Sequence, residues 1–356
     1  MKDIISSCAG SAKDCGAGDI NGMLRVMQSK TVKEGMSNFR QLDALSFNWV
    51  MADTRGNIGY QMSGRLYNRP KGVSGLVPLP AWETKYDSRG FVKKSMLPSL
   101  YNPRDGIIVT ANQDLNSLGK MNPINLPMAP YRADRITQLL KNRKKLTAAD
   151  MKRIHFMKII RPLLPDTENG RTLRKWDCAY SADSAGATLF ESVYQSLLKI
   201  VFGDHGMSRE VVTFLMNETG LFNDYYGNFD TILMKQKSAW FNGRSRNYLF
   251  KKAIQEGLRI TPAPYGETRQ VVLSRFLGFD YGPITLPGNR ATVPQGQIFK
   301  SAGRITTFSP SYRMIADMAT GEIQTTIAGG ASDRRFSKWY LSDLQNWLRG
   351  VYKTLK

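Results

Sequence analysis

Apolar positions recur at helical spacing from Met23 to Met36, with Leu24, Met27 and Val32 among them, and predict a helix there. Ser37-Asn38 offers a cap for a short helical stretch from Phe39 to Leu45. The pattern then changes. Phe47 to Asp53 reads as a strand, Thr54-Arg55-Gly56-Asn57 as a turn whose Gly and Asn tolerate positive φ, and Ile58 to Leu66 as the return strand. Its alternation is imperfect, as in a sheet covered on both faces. The next forty residues are rich in Gly and Pro, with Trp82 and Tyr86 as expected anchors. Ile107 to Ala111 predicts a third strand, ending on Asn112. A helix is expected from Ala133 to Lys141, and Thr147 caps another that starts near Ala148. Asp183 to Phe202 carries the strongest amphipathic pattern, with Leu189, Phe190, Val193, Leu197 and Val201 on one face. Residues 208–258 predict further helices, and Thr261 to Gln295 loops and strands. Ser311 to Met318 and Ile323 to Ile327 read as late strands, and Leu341 to Leu348 as a closing helix. No repeat organises the chain.

This mixture of helices and strands over 356 residues fits one large domain or two ordinary ones. The net charge of +21 raises nucleic acid, an anionic membrane surface or an acidic substrate as partners. The densest basic run, Lys141-Asn142-Arg143-Lys144-Lys145, sits at a helix end where cations favour the dipole, and no nucleic-acid-binding motif accompanies it. No nucleic acid is therefore expected as primary partner. No apolar run approaches the length of a membrane span, and Met1 to Cys8 does not read as a secretory signal peptide. Cys8 and Cys15 could close a small loop in an oxidising compartment, leaving Cys178 over. With His155 and His205 the only histidines, no metal cluster can be assembled from His and Cys. His155 falls in the amphipathic stretch Asp150 to Leu164 and reads as a packed or surface residue.

Chemistry concentrates between Asn102 and Arg135. A strand that ends on an amide, here Asn112, can hold a neutral donor at a sheet edge, which is what an acyl-transfer enzyme needs for a developing oxyanion. Arg135 follows in the helix start Tyr131-Arg132-Ala133-Asp134-Arg135. By local residues alone, Asn112 reads as a strand terminator, and Arg135 as a surface helix residue paired with Asp134 or Asp105.

The order of landmarks resembles the C-terminal part of the β chain of penicillin acylases, which are N-terminal-nucleophile (Ntn) amide hydrolases. Asn48-Trp49-Val50-Met51-Ala52-Asp53 with Gly56-Asn57-Ile58-Gly59-Tyr60 is similar to the family's hairpin. Asn102-Pro103, Gly106 and Thr110-Ala111-Asn112 follow, then Arg132-Ala133-Asp134-Arg135-Ile136. Trp176-Asp177, Asp183-Ser184-Ala185 and Leu189-Phe190 carry the middle of the chain. Pro287-Gly288, Thr292-Val293, Tyr312-Arg313 and Asp317 come next, and Gly329-Gly330-Ala331-Ser332, Trp347 and Gly350-Val351-Tyr352 close it. The likeness runs from about residue 23 to the end.

The resemblance implies an α+β fold, the C-terminal part of an Ntn-hydrolase αββα sandwich with an added helical region, incomplete on its own. It implies a loose leader over 1–22, a sheet part with the oxyanion asparagine over 23–140, a helical part over 141–260 and a return to sheet over 261–356. It implies that Asn112 is an oxyanion-hole donor and that Arg135 supports the active site. The family's nucleophile is an N-terminal serine whose own amine acts as base. This chain is expected to hold no nucleophile, since Gly10-Ser11 has no catalytic strand after it, and to need an upstream acylase segment or α chain as partner. The expected substrate is a small N-acyl amide, such as an acyl-homoserine lactone or a β-lactam side chain. The expected compartment is periplasmic or extracellular. No cofactor is implied with certainty. Calcium belongs to the complete family protein, and the loop with Asp114, Asn116, Asn122 and Pro123 makes a poor cage for it. Two alternatives stand beside this reading: an inactive scaffold or binding protein derived from the acylase fold, and a basic protein of nucleic-acid or membrane surfaces.

Overall fold

A computed structural model describes residues 16–75, 77–121, 127–141, 156–219, 225–273, 281–285, 288–289, 292–293, 297–301, 304–308 and 310–355. Cys8, Gly10-Ser11, Cys15, Asn122, Pro123, Thr147, Ala148 and His155 lie outside the described residues. The chain divides into two compact units, residues 1–127 with 316–322, and residues 128–315 with 323–356.

Among the described residues of the first unit, two helices stand where a single one from Met23 to Met36 was expected. Helix α1 spans Ala17–Met27, so residues 17–22 are helical rather than loose, and α2 spans Val32–Arg40. Thr31 separates them. Its hydroxyl accepts from Glu34 N, and the Glu34 carboxylate accepts from Lys30 N, so two donors that a new helix leaves open are satisfied. Helix α2 already contains Ser37, Asn38 and Phe39, and no helix runs on to Leu45. The buried Asp19 carboxylate holds α1 by accepting from Asp43 N and Ala44 N. Ile20, Leu24 and Met27, at helical spacing, remain exposed on α1.

The expected hairpin forms. Strand β1 (Asn48–Ala52) pairs antiparallel with β2 (Ile58–Met62), from Asn48 opposite Met62 to Ala52 opposite Ile58. The Asp53 carboxylate builds the turn by accepting from Arg55 N and Asn57 N, and Gly56 supplies φ +81. Its second oxygen accepts from Val32 N, which ties α2 to the hairpin. Gly59 lets α2 lie directly on β2: a Cβ there would stand 2.4 Å from Val32 Cγ1. Phe39 stacks on Trp49 with centroids 4.0 Å apart.

The third strand is not where the sequence placed it. Strand β3 is Ser99–Tyr101, paired with β2 in the order β1-β2-β3. Asn102, in the left-handed region at φ +45, then fastens the sheet end by donating to Asn57 Oδ1 and accepting from Ile58 N. Residues 107–111 form no ladder with a described strand. Their apolar run had the right composition, but β-structure requires a neighbour, and β2 spends its free edge on β3. Trp82 is 84% exposed and anchors nothing; Tyr86 is half-buried. The ring pair in this stretch is Tyr67 on Phe91, which flanks an isolated bridge.

The second unit is mainly helical. Helix α3 spans Tyr131–Lys141. Further helices span Glu168–Lys175, Ala185–Leu198, Arg209–Phe214, Tyr225–Leu233 and Arg246–Gly257. Ser184 caps the second of these by accepting from Ala187 N, and the helix runs on as a wider coil, Lys199–Met207. Leu189, Phe190, Val193, Leu197 and Val201 are buried as their spacing demands. Helix Arg246–Gly257 meets this face closely, because Gly257 has no side chain: a Cβ would stand 2.5 Å from Val193 Cα.

Strands fill the later part of the chain. Antiparallel pairs are β4 (Gln270–Leu273) with β5 (Tyr281–Thr285), and β6 (Gln297–Ser301) with β7 (Arg304–Phe308). The two late strands appear as β8 (Tyr312–Asp317) and β9 (Glu322–Ile327), joined by β10 (Lys353–Leu355) in the order β10-β9-β8. The closing helix is Leu344–Arg349, with Leu344 and Trp347 buried. The fold class is α+β.

Candidate functional site

Asn112 sits at the end of the 107–111 run at φ +68, a conformation that Asn tolerates better than other side chains, and it is exposed. The next residue fixes the backbone around it. Gln113 Oε1 accepts from Ala111 N at 2.7 Å, and Gln113 Nε2 donates to Val109 O at 2.7 Å. The loop beyond is also fastened. Asp114 accepts from Asn116 N, Lys120 N donates to Met96 O at 2.8 Å, and a Cβ at Gly119 would stand 2.8 Å from Met96 O. Asn112 is therefore presented from a loop held on both sides, the preorganisation that a donor to a transient charge requires.

Arg135 belongs to the second unit. It is not on the surface: it is 1% exposed, among the largest fully buried side chains of the described residues. One helical turn later, Gln138 accepts from its Nη1 at 2.6 Å. Charged side chains are almost never fully buried without a strong reason, because desolvating a guanidinium costs several kcal/mol (about) before its partners compensate. The local sequence argued for a surface residue because Tyr131-Arg132-Ala133-Asp134-Arg135 is mostly polar.

A hydrogen-bonded group at the start of α3 was not legible in the sequence. Tyr131, one turn before Arg135, donates to Asp230 Oδ2 at 3.2 Å, and Tyr194 donates to Asp230 Oδ1 at 2.5 Å. Asp230 is itself buried. A single Asp inside a predicted helical region carries no signal of this kind. Gln113 was equally silent, although it stands directly after the asparagine singled out above.

Among the described residues, no three His, Cys, Asp or Glu side chains cluster as metal ligands, and the Asp114 carboxylate caps its own loop at Asn116 N. His205 is exposed, and Cys178 is buried and in no disulfide. No described helix is long and apolar enough to cross a membrane.

The family model described as penicillin amidase matches residues 9–356. An acyl-homoserine lactone acylase of Pseudomonas fluorescens is 26% identical over 384 residues, covering 94% of this chain and 47% of the relative. The penicillin acylase 2 proenzyme of Pseudomonas sp. strain SE83 is 23% identical, covering 91% and 46%. The chain thus spans about half the length of the curated relatives it matches. A solved thermostable penicillin G acylase from Alcaligenes faecalis superposes with TM-score 0.69 and 16% identity, over 97% of this chain and 70% of that one.

Proposed function

This chain belongs to the penicillin amidase family, and from that premise we propose that it forms part of a hydrolase of carbon-nitrogen bonds in linear amides. Asn112 donates its side-chain amide to the oxyanion of the tetrahedral intermediate. Arg135 supports the site with its planar guanidinium fork. The nucleophile, an N-terminal serine with its own amine as base, comes in this reading from an upstream acylase segment. The substrate is a small N-acyl amide.

One observation carries the reading: Asn112 is an exposed amide in the left-handed region, and the Gln113 side chain holds the backbone just before it at Ala111 N and Val109 O. A strand terminator needs no such grip. An oxyanion donor does, because its stabilisation depends on being in position before charge develops.

The test is to co-express the chain with the nucleophile-bearing segment and to follow amine release from N-acyl amides. Asn112→Ala is expected to lower kcat about 10²–10³-fold. An unchanged rate removes Asn112 from the oxyanion hole.

A further inference from the structure

Helix α3 carries Arg135, and six of its eleven residues are polar or charged. A polar tether stands at its first turn. Tyr131 is half-buried and donates to Asp230 Oδ2 at 3.2 Å. Asp230 stands on helix Tyr225–Leu233, and its other oxygen accepts from Tyr194 of helix Ala185–Leu198 at 2.5 Å. The carboxylate therefore joins three helices through two phenolic hydroxyls. Tyr194 is 3% exposed and Asp230 5%, so water competes little for these bonds.

A second contact, independent of these hydrogen bonds, brings the same two elements together. Gly227 stands one turn before Asp230, and a Cβ at that position would lie 2.9 Å from Ala129 Cβ. The absence of a side chain lets helix Tyr225–Leu233 approach the chain just ahead of α3. Tyr131 and Arg135 are separated by four residues, so they share one face of α3 and stand one above the other. A shift at Tyr131 is transmitted along a rigid helical turn to Arg135.

We propose that Asp230, with Tyr131 and Tyr194, is a positioning device for Arg135. This rests on the reading of Arg135 as a supporting group of the amide hydrolase. None of the three touches substrate in this proposal. They set where the guanidinium stands, and so act on turnover rather than on substrate affinity.

The experiment is a double-mutant cycle in the chain co-expressed with its nucleophile-bearing segment, with kcat and KM measured for each variant. Arg135→Lys keeps the charge and loses the planar fork. Tyr131→Phe removes one hydroxyl and leaves the ring in place. Tyr131→Phe alone is expected to lower kcat about tenfold with KM nearly unchanged, the size of coupling that residues in one network show. In the Arg135→Lys background the same substitution is expected to have little further effect. Asp230→Asn, which keeps an acceptor oxygen, is expected to retain more turnover than Asp230→Ala. If Arg135→Lys leaves kcat unchanged, the role of Arg135 itself falls. If Arg135→Lys lowers kcat but Tyr131→Phe does not, or if the two losses simply multiply, Arg135 keeps its role and the positioning device is overturned.

Discussion

Gln113 grips Ala111 and reaches past it: its side-chain amide accepts from Ala111 N and donates to Val109 O, both at 2.7 Å. The residue between them in sequence, Asn112, has its backbone turned to φ +68. A side chain thus does for residues 109–111, which pair with no described strand, what a neighbouring strand does in a sheet.

Gln113→Ala is expected to release this grip. Each lost hydrogen bond is worth about 0.5–1.5 kcal/mol. In the assembled hydrolase kcat should fall about tenfold while KM and the melting temperature stay close to the parent values, since the loop is local and half-exposed. Turnover kinetics beside a thermal melt give the answer.

Asn112 can be replaced in two ways that separate strain from chemistry. Asn112→Ala and Asn112→Gly both remove the amide, so both should lose turnover. Only Gly adopts φ +68 without cost, whereas an Ala side chain in this region is less stable by roughly 1–2 kcal/mol. The Gly variant is expected to unfold at a higher urea concentration than the Ala variant. Equal midpoints would show that the left-handed conformation is not held.

Two glycine positions are expected to answer oppositely to Ala. In helix α1, a Cβ on Gly18 meets nothing within 4 Å, so Gly18→Ala should stabilise by about 0.5 kcal/mol through helix propensity. On Gly257 a Cβ would stand 2.5 Å from Val193 Cα, backbone that cannot move without separating two core helices. There the clash outweighs any propensity gain, and Gly257→Ala should destabilise by about 1–3 kcal/mol. Urea titration of each variant measures both.

Asp343 gives a pH dependence. Burial opposes its ionisation, but hydrogen bonds from Asn346, Ile327 N and Lys353 outweigh that and hold its carboxyl below the ordinary value of 3.8. A carboxyl with a depressed folded-state pKa binds its proton more readily when unfolded. Its contribution is therefore complete above the unfolded value and is lost as pH falls from there through the folded pKa. Asp343→Asn is expected to destabilise at neutral pH and to flatten the fall in urea midpoint below pH 3.8 relative to the parent. Midpoints measured from neutral to acid pH test the sign.

Local pattern was a good guide where a segment's partner lies beside it in sequence. The hairpin β1–β2 was legible because its turn residues, Asp53 to Asn57, close it without help from elsewhere. The helix Ala185–Leu198 was legible because a stripe at its own period faces the core. Pattern misled where the deciding partner is distant. The run Ile107 to Ala111 has strand composition but forms no ladder with a described strand, and the short Ser99–Tyr101 takes β2's edge instead. Strands β6, β7 and β10 gave no sequence signal strong enough to be read.

Of the two residues proposed for the site, the sequence determined their identity and order: an amide closing an extended run, then an arginine four residues into a helix, in a series of landmarks shared with a family. It also determined the α+β class, because helical and strand periods are written in neighbouring residues. Tertiary structure alone decided that Arg135 is buried and that Asp230 and Tyr194 help to seat its helix. Asp230 lies 99 residues from Tyr131 along the chain. Hydrophobic period records which face of an element is apolar, but a hydrogen bond between two polar side chains so far apart leaves no period in either segment, and only the folded chain brings them together.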